Sequence, residues 1–245
     1  SKEFDPRSVA LVTATYYSDY KGRIDIDNIS SLTHEQIADT ATIRGNLALK
    51  TFREAAQSGY NVFISEGGSN ESFLNDLHEI SGITVMKRPM HGRAPGRRQG
   101  YETAAQIPEV GVTLWLEPEK HTLLPFIPDI AKRLLANEAD IIVIGREAEV
   151  FRKTWPSYMW ESEAKANKKW NSLLHEFGLL PEDQFLDMWA GPRAFRNTPD
   201  IVKLWTEIYE FEKSGNPAGW QSIRRYINPE QYSNGSAGSM KSIRM

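Results

Sequence analysis

Glu117 and Glu119 stand one residue apart directly after the apolar run Val112 to Leu116, in the order Glu117-Pro118-Glu119-Lys120. Such a run reads as a strand covered on both faces, and the carboxyl end of a strand of that kind is where α/β proteins place ligands. Two carboxylates at this spacing can share a divalent cation, Mn²⁺ or Mg²⁺, through oxygen, with a diphosphate supplying further oxygens. Lys120 adds a positive charge beside them. The same tetrapeptide is also compatible with an ordinary solvated exit from a strand.

Three other segments could complete a ligand site. The run from Val9 ends in Thr13-Ala14-Thr15-Tyr16-Tyr17, which offers hydroxyls and rings to a nucleobase. A second run ends in Ser65-Glu66-Gly67-Gly68-Ser69, an acid followed by a glycine turn that lets a ligand approach the backbone. Between Lys87 and Arg98 lie five basic residues (Lys87, Arg88, Arg93, Arg97, Arg98) with no acid among them, so a local positive field faces any compact anion. Within that stretch His91-Gly92-Arg93-Ala94-Pro95-Gly96-Arg97-Arg98 matches neither the P-loop nor the dinucleotide fingerprint. It does combine glycines, guanidinium forks and a following helix, the parts from which diphosphate sites are made.

The elements that must position these groups alternate. Strands are predicted over Val9 to Ala14, Asn61 to Ser65, Ile83 to Lys87, Val112 to Leu116 and Ile141 to Ile144. Helices are predicted over Thr40 to Ser58, closed by Gly59, then Glu71 to Ile80, Gln99 to Ala105, Leu124 to Asn137 and Asp200 to Lys213. The order points to βαβ units around a largely parallel sheet, so that the four candidate loops share one edge. The polar and aromatic stretch from Arg146 to Asn171 reads mostly as helix, with a loop around Pro156, and its tryptophans and tyrosines suit either a sugar platform or helix packing. One domain is expected over residues 1–232, followed by a Gly/Ser-rich tail, 233–245.

Composition sets outer bounds. The chain has 245 residues, 40% hydrophobic and 25% charged, within the range of one large α/β domain. A formal net charge of −3 argues against a chain whose main work is coating nucleic acid. No apolar run approaches the roughly 20 residues of a membrane span, and no secretory segment opens the sequence. Cysteine is absent, which excludes disulfides, thiolate zinc sites and a cysteine nucleophile and fits a reducing, cytoplasmic location.

Over roughly Ser8 to Arg196 the chain resembles the glycosyltransferases of GT-A fold, particularly the branch related to family 2. The resemblance lies in the order and separation of Thr13 to Tyr17, Glu66 to Ser69, Gly92 to Gln99 and Glu117 to Glu119, in pattern and not in exact letters. Two departures stand out: Glu66 replaces the usual Asp, and Glu117-Pro118-Glu119 replaces Asp-x-Asp. The resemblance implies a nucleotide-binding part over about 8–120 and an acceptor side over about 121–232. It implies a transferase moving a hexose from a UDP- or GDP-sugar to an acceptor hydroxyl on a saccharide, lipid or small molecule. Thr13, Thr15, Tyr16, Glu66, Gly67, Gly68, Arg93, Arg97, Arg98, Glu117 and Lys120 would bind the donor, and Glu119, with Glu117 and His175, would hold the metal. His121 is a further histidine of that kind. Asp187, in Asp187-Met188-Trp189-Ala190-Gly191-Pro192-Arg193, would be the base that takes the acceptor's proton, with Asp183 and Glu182 behind it. Trp160, Trp189 and Gly191 would face the acceptor. A binding protein of the same fold without catalysis competes with this reading, as does a nucleotidyltransferase, although no glycine follows the first strand as that class requires.

Overall fold

The computed structural model describes residues 4–89 and 93–208. Among them one sheet of six strands runs β1 (Val9–Thr15), β2 (Asn61–Glu66), β3 (Ile83–Lys87), β4 (Val112–Trp115), β5 (Ile141–Val143) and β6 (Arg193–Arg196), in spatial order β3-β2-β1-β4-β6-β5. The first four strands are parallel, and β6 runs antiparallel to both β4 and β5. The architecture is the mostly parallel, helix-flanked α/β sheet that the alternation of strands and helices predicts.

The strands form because nearly every residue of β1 can be buried on both faces. Val9 and Leu11 join a core beneath α2 (Thr40–Gln57), α3 (Glu71–His78) and α5 (Ile127–Leu135), where Leu49, Phe52, Phe73, Leu77, Ile127 and Leu134 meet. Ala10 and Val12 face the other core, where Tyr101, Trp115, Phe195 and Trp205 pack under α4 (Arg93–Ala105) and α8 (Pro199–Thr206). Asp39 separates α1 (His34–Ala38) from α2 and caps the latter by accepting the Thr42 N–H at 3.1 Å. Gly59, at φ +84°, then turns the chain into β2.

Two helices start elsewhere than the sequence led one to expect. The helix expected from Gln99 already begins at Arg93, so Arg97 and Arg98 are helical residues and not part of a loop. Pro95 fits because a first helical turn needs no donor there. Gly96 and Gly100 fit because they face the sheet: a Cβ on Gly100 would stand 2.2 Å from Val12 Cγ1, and one on Gly96 2.6 Å from Ser65 Oγ. The glycines thus bring helix and sheet together. The helix expected from Leu124 starts at Ile127, after a 3₁₀ turn over His121–Phe126. The stretch after Arg146 is mostly helical with a break around Pro156, as expected: α6 (Ala148–Thr154) and α7 (Ser157–Glu176) meet at Trp155-Pro156. His91, Gly92, the far end of the last predicted helix and the tail lie outside the described residues. No helix among those described is long and apolar enough to cross a membrane.

Candidate active site

The parallel strands β1, β2, β3 and β4 all end at the same edge, and side chains with chemistry collect there. At the β1–β2 end, Glu66 folds back on its own turn and accepts the N–H groups of Gly68 at 2.8 Å and Ser69 at 2.9 Å. Ser69 in turn accepts the N–H of Tyr17 at 2.9 Å, which ties the two loops together. Arg88, just past β3, donates from Nη2 to the carbonyls of Thr15 at 3.0 Å and Ser65 at 3.3 Å, and its guanidinium lies where a Cβ on Gly67 would be. Next to this knot is a cavity of about 770 Å³ lined by Glu66, Gly67, Gly68, Lys87 and Arg88 together with His78 and apolar neighbours.

The hydroxyls of Thr13 and Thr15 are buried, hydrogen-bond nothing, and line neither this cavity nor the second one described below. Both belong to a strand buried along nearly its whole length. Tyr16 is 62% exposed at the end of β1. The backbone of Arg93 opens α4, and its side chain is outside the described structure.

The two glutamates after β4 go different ways. Glu119 Oε1 accepts the Tyr17 hydroxyl at 2.8 Å and Arg44 Nε at 2.9 Å, with Arg44 Nη2 at 2.7 Å. Burial and the neighbouring Glu119 push the Tyr17 phenol up, so it stays a donor to that carboxylate. Glu117 lies instead against Gly191, where an added Cβ would come within 2.4 Å of its Oε1, and 3.8 Å from Lys120 Nζ. Among the described residues no group of three or more His, Asp or Glu side chains converges on a metal site. His175 bonds the Gln184 carbonyl at 2.9 Å, and His121 stands 3.8 Å from Glu54. A Glu119 carboxylate bound by an arginine and a phenol does not suit a cation shared with Glu117. The residues therefore fit the implied metal poorly.

Glu117 and Lys120 open into a second cavity, about 330 Å³, whose wall also carries Phe126, Arg146, Trp155, Glu163, Trp189 and Gly191. That volume is in the range of small-ligand pockets. Arg97 lies at the neighbouring end of β4, its guanidinium 4.4 Å from the centre of the Trp115 ring. Arg193 anchors the loop that supplies Trp189 and Gly191 by donating to the carbonyls of Met188, Ala190 and Gly191. Burial, with Arg97 nearby, lowers its pKa to about 10, which still leaves it charged at neutral pH.

Asp187 sits behind this wall. It accepts Arg146 Nε at 2.8 Å, Arg146 Nη2 at 2.9 Å, the Arg146 backbone N–H at 3.2 Å and Asn167 Nδ2 at 2.7 Å. Burial alone would raise its carboxyl, but these bonds outweigh it and hold the group below the usual carboxylate range. A carboxylate so fully engaged is a weak base. Trp160 does not line the cavity and instead lies 5.3 Å from the Arg152 guanidinium, whereas Trp155 does line it. Glu182 and Asp183 are exposed on the turn after α7.

Arg146 and Glu163 are the residues that pattern reading left unassigned, whereas Arg88 and Trp155 figure only within the basic run and the aromatic stretch. A sequence signal existed for the face of α7 that carries Glu163: Glu163, Asn167 and Asn171 recur at four-residue spacing. Asn171 exchanges hydrogen bonds of 2.8 Å with Leu186 in both directions, so this polar stripe docks the helix on the Asp187 segment.

No family model matches the sequence, and no curated protein sequence does. Among solved structures, the fold is similar to glucosyl-3-phosphoglycerate synthase from Mycobacterium tuberculosis, solved with Mn²⁺, UDP and glucosyl-3-phosphoglycerate, at 12% identity and a TM-score of 0.48 over 82% of this chain. The chain spans 59% of that structure's length. It is also similar to residues 1–349 of TarS from S. aureus, at 13% identity and a TM-score of 0.33, over 57% of this chain and 36% of the other. Likenesses this distant fix neither a donor nor an acceptor.

Proposed function

We propose that this chain is a glycosyltransferase that moves a hexose from a nucleoside-diphosphate sugar to an acceptor hydroxyl. The observation that carries the reading is the cavity at the end of β4. There a carboxylate (Glu117), an ammonium (Lys120) and two indoles (Trp155, Trp189) share a space of about 330 Å³. Indole faces suit the apolar side of a pyranose, and carboxylate and ammonium suit its hydroxyls and a departing diphosphate. The larger cavity at the β2 and β3 ends offers the turn Glu66-Gly67-Gly68 with Lys87 and Arg88, a setting for the nucleotide. In this reading Tyr16 stacks on the base and the guanidinium of Arg97 contributes positive potential. The protein's part in the reaction is to orient donor and acceptor and to stabilise charge on the leaving diphosphate.

A second reading, a sugar-nucleotide-binding protein without catalysis, is favoured by one specific feature: Glu66, Glu119 and Asp187 are each occupied by the protein's own donors. Incubation with a panel of UDP- and GDP-hexoses separates the two. Release of nucleoside diphosphate above the buffer rate is expected. Tight binding of the diphosphates with no release from any sugar nucleotide would leave only the binding reading.

A further inference from the structure

The carboxylate that faces the second cavity from α7 is Glu163, and its surroundings differ from those of Asp187 in one decisive way. Both are held by the same guanidinium. Arg146 presents two nitrogens to Asp187 and donates its third, Nη1, to Glu163 Oε2 at 2.7 Å. Asp187 has both oxygens engaged and a side chain only 12% exposed. Glu163 commits one oxygen, lines the cavity and retains 22% exposure.

The scaffold behind it is rigid. Arg146 stacks on Phe151 of α6 at 3.8 Å, and the Asn167–Asn171 stripe fixes α7 to the Asp187 segment. The charged groups that face Glu163 are Arg146 directly and Glu117 and Lys120 around the same cavity. From the packed α6, Arg152 turns to Trp160. A carboxylate fixed at one oxygen and open at the other has the geometry a general base requires.

We infer that Glu163, not Asp187, takes the proton of the acceptor hydroxyl, while Asp187 acts on it only by positioning Arg146; this rests on the transferase reading above. In the step, the acceptor O–H bond breaks and its proton passes to Glu163 Oε1 as the acceptor oxygen bonds to the anomeric carbon. The bond from that carbon to the diphosphate oxygen breaks, and its electron pair leaves with the diphosphate next to Lys120. One displacement of this kind inverts the anomeric carbon.

The test uses the full chain, the most active sugar nucleotide of the panel and water as acceptor. Glu163→Gln keeps the bond to Arg146, so nucleoside diphosphate should bind within twofold of wild type. Turnover should fall at least about 100-fold, the scale of general-base catalysis, and the acidic limb of the kcat/KM profile should vanish. Asp187→Asn should lower turnover by about tenfold with that limb retained, and the released sugar should show inverted configuration. Glu163→Gln within threefold of wild type, loss of the limb in Asp187→Asn alone, or retained configuration would each overturn the assignment. Absence of release by wild type from every sugar nucleotide would instead remove the transferase reading itself, and the assignment with it.

Discussion

Asp187 shows how one residue can look like chemistry in sequence and behave as architecture in the fold. Its role depends on Arg146, 41 positions away, and no local pattern announces that pairing. Because the folded carboxyl sits below its unfolded value, the pair adds stability that is fully present above the unfolded pKa of about 3.9 and disappears as pH falls through the folded one. Asp187→Asn should therefore cost about 2 kcal/mol at pH 7, since it leaves a half-buried guanidinium short of one partner, and less than that near pH 3. Urea denaturation of both proteins between pH 3 and 7 measures this, and a constant difference across the range would rule the ion pair out as the cause. Glu119 carries the same lesson. Its pattern with Glu117 was legible, but Arg44 stands 75 positions earlier on a different element, and that partner changes what the carboxylate can bind.

At the scale of elements, the strands were the most legible part, because burial on both faces demands largely apolar runs such as Val9 to Val12 and Val112 to Leu116. β6 was not, since Arg193–Arg196 is short, with only two apolar residues between two arginines, and its place between β4 and β5 depends on distant pairing. The start of α4 was obscured by the same glycines that let it dock. Gly100 tests this directly: Ala at an exposed helix position adds up to about 1 kcal/mol of helix preference, but here the new methyl meets Val12 of β1. Overpacking costs about 1–3 kcal/mol, so with the helix gain set against it Gly100→Ala should be destabilising by up to about 2 kcal/mol. A variant more stable than wild type in urea would mean that α4 does not rest on β1 at this point.

For the whole molecule, the open question is whether the donor needs a metal to bind, and the charge around the edge of the sheet bears on it. A cation at Glu119 Oε1 would displace Arg44, a half-exposed ion pair worth about 1 kcal/mol or less, and also strip the buried Tyr17 hydroxyl of its acceptor at about 1–3 kcal/mol. In the proposed donor site the positive charge for a diphosphate would come from Lys120, Arg88 and Arg97, on three separate segments of the chain. A nucleoside diphosphate that binds only the folded chain at about 100 times its Kd adds about 2.7 kcal/mol, or roughly 5–10 °C in Tm for a chain of this size. That shift should be the same in Mn²⁺ and in EDTA. Arg44→Ala removes the guanidinium from Glu119, so in this variant Mn²⁺ should enlarge the shift, while the value in EDTA stays near that of wild type. If wild type shows its shift only with Mn²⁺, then Glu119 exchanges Arg44 and Tyr17 for the metal on binding, and the basic side chains do not suffice to hold the diphosphate.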